Sequence, residues 1–204
     1  MSEPRIPKGE TVPLNVTQKA RWRVFAGLGW DPNEEVSLKD KAMGALGLRD
    51  NHHDLDLSCY VFDKDGRYIT HVSVEEGREA DQTGQIYHSG DNVEGVGEGD
   101  DEQISVELDG LDAAIHAIVF KASIKTGHGF NDVRDPEIRL ADGYSGHSFL
   151  HVSLRGVDNN DKPAFVFAAL LRGADEQWMA RHIGEFIDAP KDGDWAGILK
   201  RFVP

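Results

Sequence analysis

The chain has 204 residues, a formal net charge of −14 at pH 7 and an apolar content of 39%. This charge argues against a nucleic-acid partner, because phosphate recognition depends on clustered Lys and Arg. No apolar run approaches the ~20 residues of a membrane-spanning helix, so we expect no direct membrane insertion, and any membrane link would go through a partner.

The cysteine content and the N-terminus together predict a cytoplasmic location. Cys59 is the only cysteine, so the chain cannot form an intramolecular disulfide. The residues from Met1 to Arg5 also lack the apolar region of a secretion signal. We therefore expect a reducing, cytoplasmic environment.

The first quarter of the chain predicts an arm, one strand and one ambiguous segment. Residues 1–20 are polar and contain proline, which is typical of an arm or a short edge strand. Residues 21–30 alternate in polarity, which predicts a strand. The apolar positions of this strand are Trp22, Val24, Ala26 and Leu28. Residues 34–53 include a stretch, 39–48, that suits either a short helix or an ordered excursion.

The middle of the chain predicts a β-hairpin. Residues 55–61 alternate in polarity, the cluster Asp63-Lys64-Asp65-Gly66 is a turn signal, and residues 67–72 supply the second strand. The apolar positions of the first hairpin strand are Leu55, Leu57, Cys59 and Val61. Cys59 is therefore expected to be a core thiol rather than a nucleophile.

Further strands are predicted from residue 85 to the C-terminal region. Residues 85–88 and the alternating segment that begins near residue 102 form two strands joined by an acidic loop. Residues 114–124 are apolar enough for a central strand. Three more strands are indicated at 137–141, 148–154 and 164–171. The number of short strands predicts an all-β, mainly β protein, a β-sandwich of two packed antiparallel sheets with minor helical elements.

Residues 175–186 do not resolve into one element from sequence alone. Trp178, Arg181 and His182 have helical spacing, whereas Trp178, Ala180 and His182 have strand parity. A helix and one more strand both remain open for this segment.

The acidic loop at residues 91–102 predicts a cation site. It contains six carboxylates, one carboxamide, three glycines and no cation. Oxygen ligands, together with glycines that let backbone carbonyls turn inward, suit a hard cation such as Ca²⁺. The alternative is a solvated acidic loop that binds nothing. An EF-hand is excluded in this loop, because Asp91 at position 1 places Val93 at position 3.

Period-two geometry groups the carboxylates near the strand ends. Glu102 shares parity with the apolar positions of its strand, and Asp100 extends that parity toward the core. Asp54 and Asp56 share one face at the start of the hairpin. Burying the charges of Asp100 and Glu102 requires a partner, and no Lys or Arg lies near these two residues in sequence.

Histidines give a weaker metal hypothesis. His147 and His151 stand at the i, i+4 spacing of a helical zinc site, but the pattern there predicts a strand. His52 and His53 are adjacent and have no cysteine at a useful spacing. Ordinary polar or half-buried histidines are the simpler interpretation.

Several motifs resemble the TerD family of tellurium-resistance and stress-response proteins. They are Asp54-Leu55-Asp56-Leu57-Ser58, Asp63-Lys64-Asp65-Gly66, Ser89-Gly90-Asp91-Asn92 and Gly95-Val96-Gly97-Glu98-Gly99-Asp100-Asp101-Glu102, with Gly27-Leu28-Gly29-Trp30-Asp31 upstream and Trp178 with Ile183-Gly184 downstream. The resemblance implies a cytoplasmic, calcium-binding β-sandwich that binds two neighbouring ions and is associated with resistance to tellurite and other chemical stresses. It also implies partners among other tellurium-resistance proteins, including a membrane-embedded one. On this basis residues 1–20 are an N-terminal arm or edge strand, and residues 21–204 form a single TerD-like domain.

The same resemblance implies a set of metal ligands. They are Asp54, Asp56, Asp91, Asn92, Glu98, Asp100, Asp101 and Glu102, with the carbonyls of Val93, Gly95 or Gly97 completing the shells. The chain departs from the family pattern in the longer stretch between Asp31 and Asp54 and in a C-terminal tail around residues 190–194.

Two functions follow from these ligands. The first is a non-enzymatic, Ca²⁺-dependent binding or scaffold module in stress response, since family members are not established enzymes. The alternative is a metal-dependent hydrolase that uses the same carboxylates, which would need an open coordination position and a separate general base or acid.

Overall fold

The computed structural model describes residues 6–17, 21–32, 54–92, 99–125, 129–157 and 161–204. Within these ranges, none of the helices combines the length and the apolar character needed to traverse a bilayer. The predicted excursion at residues 34–53 lies outside the described residues.

Two antiparallel sheets face each other, as the alternating apolar pattern predicted. The strands are β1 (Thr11–Pro13), β2 (Arg23–Asp31), β3 (Leu55–Phe62), β4 (Tyr68–Val72), β5 (Ile86–His88), β6 (Glu102–Glu107), β7 (Ala117–Ile124), β8 (Arg134–Asp142), β9 (Ser148–Ser153), β10 (Ala164–Arg172) and β11 (Trp178–Ile187). One sheet has the strand order β1-β11-β10-β7-β3-β4, and the other has the order β5-β6-β2-β8-β9. The predicted β-sandwich is confirmed.

The core lies between the two sheets and uses the predicted parity of each strand. In β2, Val24, Ala26 and Leu28 have no solvent exposure. In β3, the apolar positions Leu55 and Leu57 belong to the same buried cluster as Ile104 and Val106 of β6. Burial of such side chains is the main favourable contribution to folding, at about 25 cal/mol for each Å² of apolar surface.

Strand β3 is buried on both of its faces. Its outward positions include Ser58 and Tyr60, and both are buried. The cover over this outer face comes partly from a C-terminal helix, α1 (Trp195–Leu199), and a following 3-10 turn. Leu199 and Phe202 of this segment pack in the outer cluster with Phe62.

Strand pairing and helix capping define the structure of two C-terminal segments that the sequence left uncertain. Residues 178–187 form a strand because β11 pairs with β10 on one side and with β1 on the other. The region around residues 190–194 leads into α1, where Asp194 Oδ1 accepts a hydrogen bond from Gly197 N at 2.9 Å and caps the helix. The segment treated as a tail is an exposed connection, residues 191–194, that leads into this packed helix.

Candidate metal centre

Three chain segments meet at one end of the sandwich. They are the start of β3, the loop after β5 and the start of β6. Glu102 begins β6 and is fully buried, and its Oε2 accepts a hydrogen bond from Leu57 N of β3 at 2.7 Å. This bond links the two sheets, because β3 belongs to one sheet and β6 to the other.

Glu102 accepts the hydrogen bond of the Leu57 main-chain N–H, which strand β4 does not pair. The β3–β4 register begins at Cys59, paired with Val72, so β4 does not reach Leu57. The carboxylate of Glu102 replaces the missing ladder partner. The prediction that Glu102 shares the core-facing parity of β6 is confirmed by the burial of alternate residues along that strand.

His88 provides the second contact to Glu102. Its Nε2 lies 3.4 Å from Glu102 Oε2, and neither side chain has any solvent exposure. His88 Nδ1 accepts a hydrogen bond from Gly90 N at 3.1 Å, so a neutral ring carries its proton on Nε2, facing the carboxylate. Burial raises the pKa of the Glu102 carboxyl, although the His88 and Leu57 contacts oppose that shift.

Three carboxylates cluster beside this link. One oxygen each from Asp54, Asp56 and Asp91 lies within 4.8 Å of the other two. Two ligands on opposite sides of a Ca²⁺ ion stand about 4.6 to 5.2 Å apart, because Ca²⁺–oxygen distances are 2.3 to 2.6 Å. The three side chains therefore fit a single hard cation.

A lysine ammonium lies against this cluster. Lys125 Nζ is 2.7 Å from Asp56 Oδ1 and 3.6 Å from Asp54 Oδ2. Burial raises the pKa of the Asp56 carboxyl, and the hydrogen bond from Lys125 opposes that shift. A positive charge is thus needed here, and Lys125 supplies it from the chain itself.

Asp101 and Asn92 hold the loop against β2. Asp101 Oδ2 accepts a hydrogen bond from Trp30 N at 2.9 Å, and its Oδ1 accepts one from Asn92 Nδ2 at 2.8 Å. Asn92 N also donates to Glu102 Oε1 at 3.4 Å. Burial raises the pKa of the Asp101 carboxyl, while the Trp30 amide opposes the shift. These contacts place Asn92 between two candidate ligands.

Asp100 points away from the other carboxylates. Arg139 Nη2 donates to Asp100 Oδ2 at 2.8 Å, Arg139 Nε donates to Oδ1 at 2.8 Å, and Gln103 Nε2 donates to Oδ2 at 3.0 Å. A Cβ at Gly27 would collide with the Asp100 carboxylate, so that glycine makes room for it on the outer face of its sheet. The expected parity of Asp100 with Glu102 is wrong, because regular alternation begins only where the β6 ladder begins, and Gly99 has a positive φ of 100°.

The remaining predicted ligands lie outside the described residues. These are Glu98 and the carbonyls of Val93, Gly95 and Gly97. Among the described residues, the group of metal-ligating side chains is purely carboxylate and contains neither His nor Cys. His151 Nε2 instead lies 3.0 Å from Glu137 Oε2.

Sequence reasoning missed two residues of this site, Lys125 and His88. Lys125 follows β7, which lies beside β3 in the sheet. A prediction that β3 pairs with β7 would therefore have placed Lys125 near Asp54 and Asp56. His88 ends β5 at the position that pairs with Ile104 of β6, two residues from Glu102. Both depend on strand order, which local patterns do not reveal.

Comparisons with known proteins agree with this architecture. A family model described as the TerD domain matches residues 3–200. The tellurium resistance protein TerX of Serratia marcescens is 32% identical over 203 residues, covering 88% of this chain and 91% of that protein. TerZ of the same organism is 35% identical over 136 residues, covering 66% of this chain and 67% of TerZ. General stress protein 16U of Bacillus subtilis (strain 168) is 29% identical and covers 88% of each chain.

A solved structure has the same fold. The crystal structure of a homologue of telluride resistance protein (TerD) from Streptomyces coelicolor A3(2) aligns with a TM-score of 0.67. The sequence identity is 24%, and the alignment covers 89% of this chain and 96% of that chain.

Proposed function

The chain belongs to the TerD domain family of tellurium-resistance and stress proteins, and from this we propose that it is a calcium-binding, non-enzymatic stress-response protein. In this proposal the ion organises one end of the sandwich, and the loaded surface acts as a Ca²⁺-dependent binding or scaffold module. Residues 21–204 form its single domain, the cytoplasm is its location, and its partners belong to a tellurium-resistance system with a membrane-embedded component.

One observation supports the ion site above all others. Asp54, Asp56 and Asp91 each direct an oxygen into a space in which all three oxygens lie within 4.8 Å of one another. Three anions so close repel each other, and the single charge of Lys125, which contacts Asp54 and Asp56, offsets only part of this repulsion, so a bound cation would be favourable. We propose these three side chains as the first ligands of the ion.

The other predicted ligands have different roles in this proposal. Glu102 and Asp101 accept main-chain hydrogen bonds from Leu57 and Trp30 and so hold the loop and strand ends in position. Each keeps a second oxygen on the side of Asn92. A carboxylate in that arrangement can rotate toward a second ion beside the first, whereas Asp100 would first have to leave Arg139.

Calcium is favoured over magnesium by the number and flexibility of the oxygens. Ca²⁺ takes six to eight oxygen ligands, whereas Mg²⁺ keeps several waters and few protein ligands. The cluster supplies three carboxylates within the described residues. Asn92 follows Asp91 along the chain, and its hydrogen bonds bring oxygens of Asp101 and Glu102 beside it. Two ions remain our expected stoichiometry.

The test is calorimetric titration of metal-stripped protein with Ca²⁺ and with Mg²⁺. We expect preference for Ca²⁺ and a stoichiometry near two. The variant Asp56→Asn should weaken binding strongly, because it removes a ligand charge while keeping the side-chain shape. Asp175→Asn is the matched control, since Asp175 lies in an exposed turn.

Two results would contradict the proposal. The first is the absence of a Ca²⁺ signal in the wild-type protein, and the second is equal Ca²⁺ binding by wild type and Asp56→Asn. Hydrolysis of a phosphoester or peptide substrate by the Ca²⁺- or Mg²⁺-loaded protein, lost in Asp56→Asn, would instead favour the hydrolase alternative.

A further inference from the structure

A cavity opens on the outer face of the β3–β7 strand pair. Its volume is about 260 Å³. The polar lining includes Ser58, Tyr60, Ser73, Glu75, Lys121, Ser123 and Lys125, and the aromatic wall is Trp195 of α1. Asp56 also borders this cavity, so it adjoins the candidate metal centre.

Lys121 is the unusual group in this cavity. It is only 3% exposed, and it extends from the middle of β7 onto the outer face of the sheet. Its Nζ donates a hydrogen bond to Ser123 Oγ at 2.7 Å and lies 4.2 Å from the centre of the Trp195 ring. Among the described residues, the ion pairs formed by lysines involve Lys125 and Lys162 but not Lys121.

A buried ammonium without a carboxylate against it is costly, because desolvation is not balanced by a close opposite charge. Burial lowers the pKa of Lys121 to about 8, although Asp56 and Glu75 oppose the shift. Asp56 already contacts Lys125 at 2.7 Å, and Glu75 is 72% exposed. Among the described residues, Lys121 therefore has no carboxylate in ion-pair contact, although Asp56 and Glu75 lie near enough to favour its charged form.

The hydroxyl groups make the cavity suitable for an anion. Ser73 and Ser123 are two potential donors on the walls, and the Tyr60 hydroxyl is a third, whereas the Ser58 hydroxyl donates to the main-chain carbonyl of Lys121 at 3.4 Å. Hydrogen bonds from hydroxyl and ammonium groups to an ionised oxygen are roughly twice as strong as neutral ones. Trp195 and Pro163 add apolar surface to the walls, and a less polar surrounding strengthens such bonds.

We propose that this cavity binds a small inorganic or carboxylate oxyanion between Lys121 and Lys125. The anion supplies the counter-charge that Lys121 lacks, and the serine hydroxyls donate to its remaining oxygens. The site is distinct from the cation cluster, although it shares Asp56 with it.

The shared residue predicts that cation and anion bind cooperatively, and this part rests on the proposed calcium function. In the metal-free protein, the charge of Asp56 opposes an anion and engages Lys125. A cation among Asp54, Asp56 and Asp91 neutralises Asp56 and releases the Lys125 ammonium, which can then turn to the anion. Linkage requires that the anion strengthen cation binding by the same factor.

Inorganic sulfate is a suitable probe. It is titrated at constant ionic strength into metal-free protein and into Ca²⁺-saturated protein, and binding is followed by calorimetry and by tryptophan fluorescence. We expect binding in both states, tighter by about fivefold or more with Ca²⁺. The fluorescence response should disappear in Trp195→Phe while the calorimetric signal persists.

Lys121→Met separates an anion-binding role from a structural one. We expect this variant to bind sulfate at least tenfold more weakly and to melt no lower than wild type, because replacing a buried ammonium with an apolar group removes a desolvation cost. Lys64→Met is the matched control, since Lys64 is exposed in the β3–β4 turn. Should Lys121→Met fail to fold, Ser123→Ala removes the hydroxyl that orients Lys121 and should weaken sulfate several-fold.

Each outcome has one meaning. No sulfate binding in either state, up to the solubility of calcium sulfate, overturns the anion site. Equal sulfate binding by wild type, Lys121→Met and Ser123→Ala also overturns it. Sulfate binding that is unaffected by bound Ca²⁺ overturns the coupling alone. Failure of Ca²⁺ itself to bind contradicts the proposed function, while sulfate binding to the metal-free protein still decides the anion site.

Discussion

Two buried aspartates, Asp142 at the end of β8 and Asp56 in β3, have different surroundings: hydrogen-bond donors surround the first carboxylate, and charged side chains surround the second. Their exposed fractions are 2% and 7%. Asp142 accepts hydrogen bonds from the main-chain N–H groups of Thr17, Tyr144 and Ser145 and from the Ser145 hydroxyl. Asp56 faces two other carboxylates and the ammonium of Lys125.

The pKa shifts of the two carboxyls reflect this difference. Burial alone raises the pKa of each, but the hydrogen bonds to Asp142 outweigh burial and lower its pKa from 3.8 to about 2. For Asp56 burial outweighs Lys125, and the pKa is raised. Asp142 is stabilised as a carboxylate by hydrogen-bond donors of the chain and has a structural role. Asp56 has a raised pKa and lies beside other acids, so it is a candidate for binding an added cation.

Calcium should produce the largest change, and it should act through Asp56 but not through Asp142. At 100 times the dissociation constant, an ion that binds only the folded state adds about 2.7 kcal/mol to the free energy of unfolding. We expect a corresponding rise in melting temperature by calorimetry, lost for the most part in Asp56→Asn. If Ca²⁺ raised the melting temperature of Asp56→Asn as much as that of wild type, Asp56 would not differ from Asp142 in its role.

Asp142→Ala should destabilise the protein without changing its response to calcium. Removing a carboxylate that accepts several hydrogen bonds leaves buried donors without a partner, at a cost of about 2 kcal/mol. Urea unfolding of wild type and variant in chelator measures this loss. Asp109→Ala is a useful comparison, because Asp109 accepts a hydrogen bond from the Trp22 amide at an exposed site. A loss confined to the Ca²⁺-loaded state would contradict a structural role for Asp142.

The stability that Asp142 contributes should depend on pH in one direction. Its folded pKa lies below its ordinary value, so the contribution is fully present above about pH 4 and is lost as pH falls toward 2. The difference in urea midpoint between wild type and Asp142→Asn should therefore shrink between pH 5 and pH 2 in metal-free protein. A constant difference across this range would assign the effect of the substitution to something other than charge.

Lys125→Met should produce the smallest change, a rise in Ca²⁺ affinity. In the proposed calcium site Lys125 would compete with the ion for Asp54 and Asp56. Its side chain is 48% exposed, so its ion pairs contribute at most about 1 kcal/mol. That limit corresponds to an affinity gain of about fivefold or less, measured by calorimetric titration. Lys64→Met again serves as control. Weaker Ca²⁺ binding by Lys125→Met would mean that Lys125 supports the cluster instead of competing with the ion.

Much of the fold could be predicted from local patterns. The hairpin β3–β4, the strand β7 at the interior of its sheet and the buried parity of β2 all follow from alternation and turn residues, which are properties of short segments. The C-terminal helix was missed because a helix of five residues has too few turns to show a period. Residues 178–187 were ambiguous because strand and helix spacings coincide there, and only pairing with β10 and β1 decides between them.

Some features of the candidate site could likewise be predicted from the sequence, and others could not. The residue types and spacing of the acidic loop are enough to predict an oxygen-ligated cation, and they place Glu102 on the core-facing side of β6. They do not reveal that Asp100 pairs with Arg139, which lies 39 residues away along the chain. They also do not reveal that Lys125 lies against Asp56. Both contacts arise from the order of strands in the sheets.

What the sequence by itself determined is therefore the family, the β-sandwich and the segments that hold the acids, because each depends on the order of residue types along a short stretch. Only the tertiary structure decided which acids meet one another and which meet a cation. Strand order brings β7 beside β3 and β8 beside β2, and these neighbours place one arginine and one lysine next to three of the carboxylates. Electrostatic interaction depends on distance in space and on burial, and neither can be read from separation along the chain.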